Sequence, residues 1–314
     1  MPLLLLLVGL LVAGSAIAWY LLRDRPPGPR PTFDGERALA EIVTQVEFGP
    51  RAPGTDGHRQ LRAYLVETLE RYADRVEEHA FTYTPSDMAT RHLDGYNLMA
   101  SFGSGAPRRL MLAAHWDTRP CADEDPDPER RTEPVLGAND GGSGVAVLLE
   151  MARLLHEVPP RIGVDLVFFD LEDLGEGFDE ETGAYETPYA IGSEHFAETH
   201  PHYRPSYGIL LDLVGDRHAR FPKEGYSARY APAIVDKVWA AARRVGADAF
   251  LDEQGPPIDD DHVPFLRRGI PVINVIQTPF PAYWHTTADT PDRCSAATLQ
   301  QVGDVIVEVV YGER

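Results

Sequence analysis

The sequence predicts an α/β protein: a single globular domain with a central mixed, mostly parallel, twisted sheet flanked by helices. Two observations carry this. Short apolar runs alternate with segments whose apolar residues recur every three or four positions, the pattern of strand–helix units in a sheet with parallel pairs. The 314 residues suffice for one large core without a second domain, and no internal repeat divides them.

Residues 2–22 form an uncharged apolar run, long enough for a bilayer and compatible with a secretory leader. Ala16-Ile17-Ala18 resembles a cleavage site, while Arg23, Arg25 and Arg30 follow the run with no base before it. Both readings, cleaved leader or N-terminal membrane anchor, give an exported, periplasmic or extracellular protein. Residues 23–34 are a Pro-rich linker, and 35–314 the globular domain.

Two helices are predicted at 35–48 and 56–72, separated by the turn-rich Pro50 to Thr55, then a strand at 76–83. Apolar runs at 97–102 and 110–114 precede a helix at 141–156. A strand at 164–169, a helix at 193–198 and a strand at 209–211 follow. Helices at 231–245 and 263–268, a strand at 271–276 and an amphipathic helix at 295–311 complete the chain.

Acidic residues outnumber basic ones 49 to 29, a net charge of −20 that argues against nucleic acid or an anionic membrane surface as a partner. The run Asp123, Glu124, Asp125, Asp127, Glu129 reads as solvated surface. The two cysteines, Cys121 and Cys294, are too few for a disulfide framework and read equally as a pair or as free thiols.

Ligands of open α/β sheets gather beyond the carboxyl ends of the strands. There the sequence places His115-Trp116-Asp117, Asp170-Leu171-Glu172-Asp173, Asp212 and Trp284-His285. Each alone has an ordinary reading as a turn, a cap or a surface histidine. Gly137 to Gly144 puts Asp140 in a glycine-rich turn just before a helix, where it also reads as an N-cap. The adjacent acids Glu172 and Asp173 repel unless solvated or bridged by a proton or cation; a metal would bind one and leave the other as a proton shuttle. Carboxylates with imidazole suit Zn²⁺, which in catalytic sites takes three protein ligands, and neither CxxC nor HExxH competes for it.

Taken in order, His115-x-Asp117, Gly-Ala-Asn-Asp140, Phe-Phe-Asp-x-Glu172-Asp173, Gly192-Ser193, Leu-Leu-Asp212 and His285-Thr286 resemble the zinc aminopeptidase (M28) and glutaminyl cyclase superfamily from about Gly35 to the end. Residues 258–272 and 279–286, the long insertion between Asp173 and Gly192-Ser193, and Trp284 beside the histidine are similar to animal-type glutaminyl-peptide cyclotransferases. The resemblance implies a zinc-aminopeptidase-like fold and an enzyme that closes an N-terminal glutamine of a peptide or protein to pyroglutamate with release of ammonia. It implies one zinc on Asp140, Asp173 and His285, or two, adding His115 and Asp212, in an aminopeptidase. Glu172 would shuttle the proton, and Asp260, linked to Asp212 by carboxylate hydrogen bonds, would support the intermediate. Ile258, Phe280 and Trp284 would line the glutamine pocket, with His115, Asp117 and Asp261 orienting the site. The chain is expected to act as a monomer. Two departures stand out: Asp173, where most relatives carry Glu, and Phe178, in the loop where animal cyclases place Trp. The alternatives are an M28 aminopeptidase and an inactive, anchored binding ectodomain.

Overall fold

The computed structural model describes residues 30–85, 92–179 and 184–313, with side chains at 177–179 and 184–186 left aside. The apolar run at 2–22 therefore lies outside the described residues. Among those described, no helix is long and apolar enough to cross a membrane.

Six strands build the main sheet: β1 (Arg75–Tyr83), β2 (Leu93–Phe102), β3 (Arg109–His115), β4 (Gly163–Phe169), β7 (Tyr207–Asp212) and β10 (Val272–Ile276). Their spatial order is β1-β2-β4-β3-β7-β10. The pairs β1/β2 and β2/β4 are antiparallel, whereas β4/β3, β3/β7 and β7/β10 are parallel. The sheet is thus mixed and mostly parallel, as expected, and four parallel strands point their carboxyl ends to one edge.

Both faces of those strands are buried, so alternate residues enter different cores. Leu110, Leu112 and Ala114 of β3 join the larger core, with Leu166 and Phe168 of β4 and Val275 of β10. Met111 and Ala113 join a smaller one with Val167, Phe169, Phe196 and Phe265. The larger core lies under α1 (Gly35–Glu47), α2 (Asp56–Glu70), α3 (Gly142–Glu157), α6 (Pro232–Val245) and α8 (Ala296–Gly312). The smaller core lies under α4 (Ile191–Thr199) and α7 (Val263–Arg267); α5 (Gly225–Tyr230) packs on β10 and α6.

The helix starts follow capping chemistry. Asp34 accepts from the amides of Glu36 and Arg37, each at 3.1 Å, and Ser295 accepts from Thr298 N at 3.2 Å. Phe33 is buried against Gly303, where a Cβ would lie 2.1 Å from its ring, so the packed chain already includes the residues just before α1. At α3 a Cβ on Gly144 would lie 2.2 Å from Leu211 O, and this glycine lets the helix lie against the sheet.

Two small pairings were not anticipated. The antiparallel β5 (Glu176–Asp179) and β6 (Ala184–Thr187) arise where the sequence reads as an acidic loop. The parallel β8 (Phe221–Lys223) and β9 (Phe250–Gln254) carry too few apolar residues to show a strand period. Cys121 and Cys294 are free thiols, the latter buried.

Candidate active site

β3 ends at His115, β4 runs into Asp170 to Asp173, β7 ends at Asp212, and the chain beyond β10 returns at His285. Leu171, Leu213 and His285 hold positive φ angles of 57°, 50° and 53°. Left-handed non-glycine residues are costly and persist where surrounding contacts over-determine them. Here they stand at or next to the side chains that meet.

Two buried clusters share Asp140: His115, Asp140 and Asp212, and Asp140, Asp173 and His285. The ligand-capable atoms within each lie within 4.8 Å of one another. His115 Nε2 is 3.1 Å from both Asp140 Oδ1 and Asp212 Oδ1. His285 Nε2 is 3.1 Å from Asp173 Oδ1 and 3.7 Å from Asp140 Oδ2. Asp140 thus turns one oxygen to each histidine. Its N-cap reading fails, because α3 is capped by Gly141 at φ 77° and Asp140 faces the histidines instead.

A chamber of about 230 Å³ opens on Asp140, Glu172, Asp173, Asp212, Asp260 and His285. Its apolar walls are Ile258, Phe280 and Trp284, with Tyr189. The Phe280 and Trp284 rings stack at 4.5 Å, and Trp284 in turn stacks on His285 at 3.5 Å. Every residue expected to bind substrate or metal is therefore gathered around one space. His115, 1 % exposed, lies behind it.

Paired acids hold the backbone of this edge. Asp117 accepts from the amides of Glu172 and Asp173, each at 3.1 Å. Asp289 does the same for Asn139 at 2.9 Å and Asp140 at 3.0 Å. Asp170 accepts from Tyr96 N at 2.8 Å and Leu171 N at 2.9 Å, and pairs with His58 Nε2 at 3.0 Å. Arg51, fully buried, donates to Gly137 O at 2.7 Å, and burial pushes its pKa down to about 10 against the pull of Asp289, Asp117 and Asp140.

Burial, reinforced by Asp260, Asp261 and Asp173 against the pull of His115, raises Glu172 well above the ordinary carboxylate range. A carboxyl whose hold on a proton is strengthened in this way suits a shuttle. Asp260 is raised well above that range by burial and by the charges of Asp212 and Asp261. Asp261 rises to about 7, again mainly by burial, against the pull of the Ser193 hydroxyl and of His115. Asp173 behaves oppositely: burial pushes it up, but His285 and Arg119 outweigh this and hold it low. His115 is pushed down by burial, yet the nearby carboxylates of Asp117, Asp140 and Asp212 carry it well above the ordinary imidazole value.

Three expectations need correction. Asp212 bonds His115, not Asp260, whose oxygens accept from Asn274 Nδ2 and the Asp261 amide, each at 2.6 Å; Asp212 reaches Asp260 only through charge. Asp123 and Asp125 are not free surface acids. Arg119 Nε donates to Asp123 at 2.7 Å, and buried Asp125 accepts from Thr287 N at 3.0 Å and Thr287 Oγ1 at 2.6 Å, tying down the loop after His285. The acids Glu172 and Asp173 are buried, 7 % and 2 % exposed, so solvation does not relieve their repulsion. The Phe178 side chain lies outside what the structure describes.

The donor set fits a zinc ion. Asp140, Asp173 and His285 converge as two carboxylates and one imidazole, the family of ligands zinc takes, beside a space a fourth ligand can enter. Buried carboxylates in this number need compensating charge, and Arg51 and Arg119 supply only part of it. Asp173 is long enough for the task despite its missing methylene, since Oδ1 reaches His285; that same oxygen lies 3.3 Å from Arg119 Nη1.

Residues 97–310 match the model of peptidase family M28. The chain belongs to that family. Among M28 relatives, a glutaminyl-peptide cyclotransferase-like protein of Mus musculus is 31 % identical over 287 residues, covering 82 % of this chain and 70 % of the relative. A crystal structure of Bacteroides thetaiotaomicron glutaminyl cyclase bound to N-acetylhistamine is 40 % identical, with a TM-score of 0.86, covering 91 % of this chain and 100 % of that one. A Zn-dependent exopeptidase from Parabacteroides distasonis is 39 % identical, with a TM-score of 0.85 and coverage of 91 % and 100 %. The M28 fold and zinc binding expected from the motifs stand; a bacterial cyclase is at least as similar as an animal one, so the animal-type label is too narrow.

Sequence reasoning missed Arg119, Asp289, Asn274, and the His58–Asp170 and Glu224–His262 pairs as parts of this M28 site. Asp289 had a readable signal, an acid four residues after His285 in a polar turn. Arg119, two residues beyond Asp117, had its position as a signal but no partner visible in sequence.

Proposed function

We propose that this chain is a zinc-dependent glutaminyl-peptide cyclotransferase that converts the N-terminal glutamine of exported peptides or proteins to pyroglutamate. The carrying observation is the reaction chamber itself. It brings the Asp140–Asp173–His285 cluster, the raised carboxyl of Glu172 and a stacked aromatic wall around a space sized for one residue.

In the reaction the α-amine attacks the side-chain carbonyl carbon, the new C–N bond closes a five-membered lactam, and the bond to the amide nitrogen breaks to release ammonia. Zinc, when bound by Asp140, Asp173 and His285, supplies Lewis-acid polarisation of the side-chain carbonyl. Glu172 takes the proton from the attacking amine and returns it to the leaving nitrogen, which its raised pKa allows. Asp260, whose protonated form is favoured by burial and by the charges of Asp212 and Asp261, supports the reacting centre with a hydrogen bond. Ile258, Phe280 and Trp284 hold the glutamine side chain bent over its own amine, the orientation share of the rate. Asp117 and Asp289 fix the backbone beneath the acids.

A second reading, a dinuclear aminopeptidase, is favoured by the His115–Asp140–Asp212 cluster. Incubating the zinc-loaded protein with a Gln-initiated peptide and with its Leu-initiated counterpart separates the two. Ammonia and a pyroglutamyl product from the first alone support cyclisation; free leucine from the second, without ammonia from the first, overturns it.

A further inference from the structure

The reaction chamber, at about 230 Å³, is smaller than the roughly 300–1,000 Å³ of sites that enclose a drug-sized ligand. It has room for the reacting residue, and the rest of a peptide must leave it. A second cavity of about 580 Å³ adjoins it, and Tyr189, Asp259 and Asp260 line both. Tyr189 is the partition. Its ring packs on Gly175, where a Cβ would lie 1.9 Å away, and beneath the Arg119 guanidinium, 5.7 Å from the ring centroid.

The second cavity is built from β1, the turn into α4, α4 itself and α7. One wall is the stack of Phe81 on His195, ring centroids 4.7 Å apart at 18°; Val263 and Pro264 also line the cavity. Arg267 is taken by Glu194 at 3.2 Å, which leaves Glu198 and Asp259, both exposed, as the charges at the rim. Apolar walls with an acidic rim fit an apolar side chain and repel a carboxylate.

We propose that this cavity binds the residues that follow the N-terminal glutamine, and that it selects an apolar side chain over an acidic one at the second position. This rests on the cyclase reading above. None of the cavity residues except Asp260 takes part in the chemistry proposed there.

The test compares ammonia release by the zinc-loaded protein from glutamine amide, Gln-Leu-Ala amide and Gln-Glu-Ala amide. The wild type is expected to turn over the Leu peptide with a kcat/KM at least about tenfold above the Glu peptide. Val263→Trp, which narrows the second cavity, should lower kcat/KM on the Leu peptide about tenfold through KM and leave glutamine amide unchanged, the unchanged rate also showing that the variant folds. Glu198→Lys, at the exposed rim, should raise turnover of the Glu peptide about threefold. Equal rates on the two peptides, or a Val263→Trp effect equal on all three substrates or absent, overturn the cavity's role while leaving the cyclase reading intact. Ammonia from none of the substrates overturns the cyclase reading and this inference with it.

Discussion

The two histidines that flank Asp140 sit in opposite circumstances. His115 lies between Asp140 and Asp212, its Nδ1 faces Asp117 at 3.6 Å, and it is shut away from the chamber. These three acids raise its affinity for a proton against the effect of burial. His285 touches one carboxylate at 3.1 Å, stacks under Trp284 and lines the chamber. A cluster whose histidine is enclosed by three acids is suited to structure, whereas a cluster open on one side is suited to a catalytic metal.

Replacing the histidines one at a time should break this contrast if it is false. His285→Ala is expected to lose the bound zinc and to lower ammonia release by at least about 10³-fold. His115→Gln should keep one zinc per chain and lose about 10- to 100-fold, the range for groups that orient a metal ligand. Metal analysis of the two variants beside their rates reads both effects. Equal loss of zinc from the two would erase the distinction.

Glu172→Gln comes next, with a loss of about 10²- to 10⁴-fold in kcat and unchanged zinc content. A variant that lost metal as well would place Glu172 among the ligands and not in proton transfer.

Much of this contrast is legible in the sequence alone. Three apolar runs each ending in an acid or a histidine, and a fourth that leads through a loop to His285, announced the parallel strands and the edge where chemistry gathers, and that edge is where Asp140, Asp173 and His285 meet. Of the acids that support them, Asp117 was legible from its place after β3, whereas the partners of Asp289 were not, because they are the backbone amides of Asn139 and Asp140, about 150 positions away. Asp125 was misread because its partner, Thr287, comes from the far end of the chain. The β8–β9 pair was missed because sheet pairing across 25 or more residues leaves no local period in strands this short.

Asp289→Asn sharpens the contrast by testing support on the open side alone. Loss of one charge and one acceptor at the Asp140 turn should weaken zinc affinity about 10- to 100-fold, measured by competition with a chelator, with kcat at saturating zinc little changed. Unaltered affinity would assign Asp289 to folding only.

The smallest effect concerns stability away from the metal. Glu224, 1 % exposed, accepts from Tyr226 N, Ser227 N and Ile258 N and pairs with His262 at 3.1 Å, holding the segment that carries Ile258 and Asp260. Burial pushes its pKa up, but His262 and Ser227 outweigh this and hold it near 2, below the ordinary 4.5. The resulting stability, on the order of 3 kcal/mol, is present above pH 4.5 and lost as pH falls toward 2. Urea unfolding of the wild type and Glu224→Gln should therefore differ most near neutrality and converge in acid. A difference that grew on acidification would reverse the sign.

The most direct test of the open cluster as the working metal site is to titrate the metal-free protein with zinc while following ammonia release from a Gln-initiated peptide. Activity is expected to rise linearly and level off at one zinc per chain. A rise that continues to two, accompanied by release of free amino acid, would contradict the account and make His115 and Asp212 ligands of a second ion.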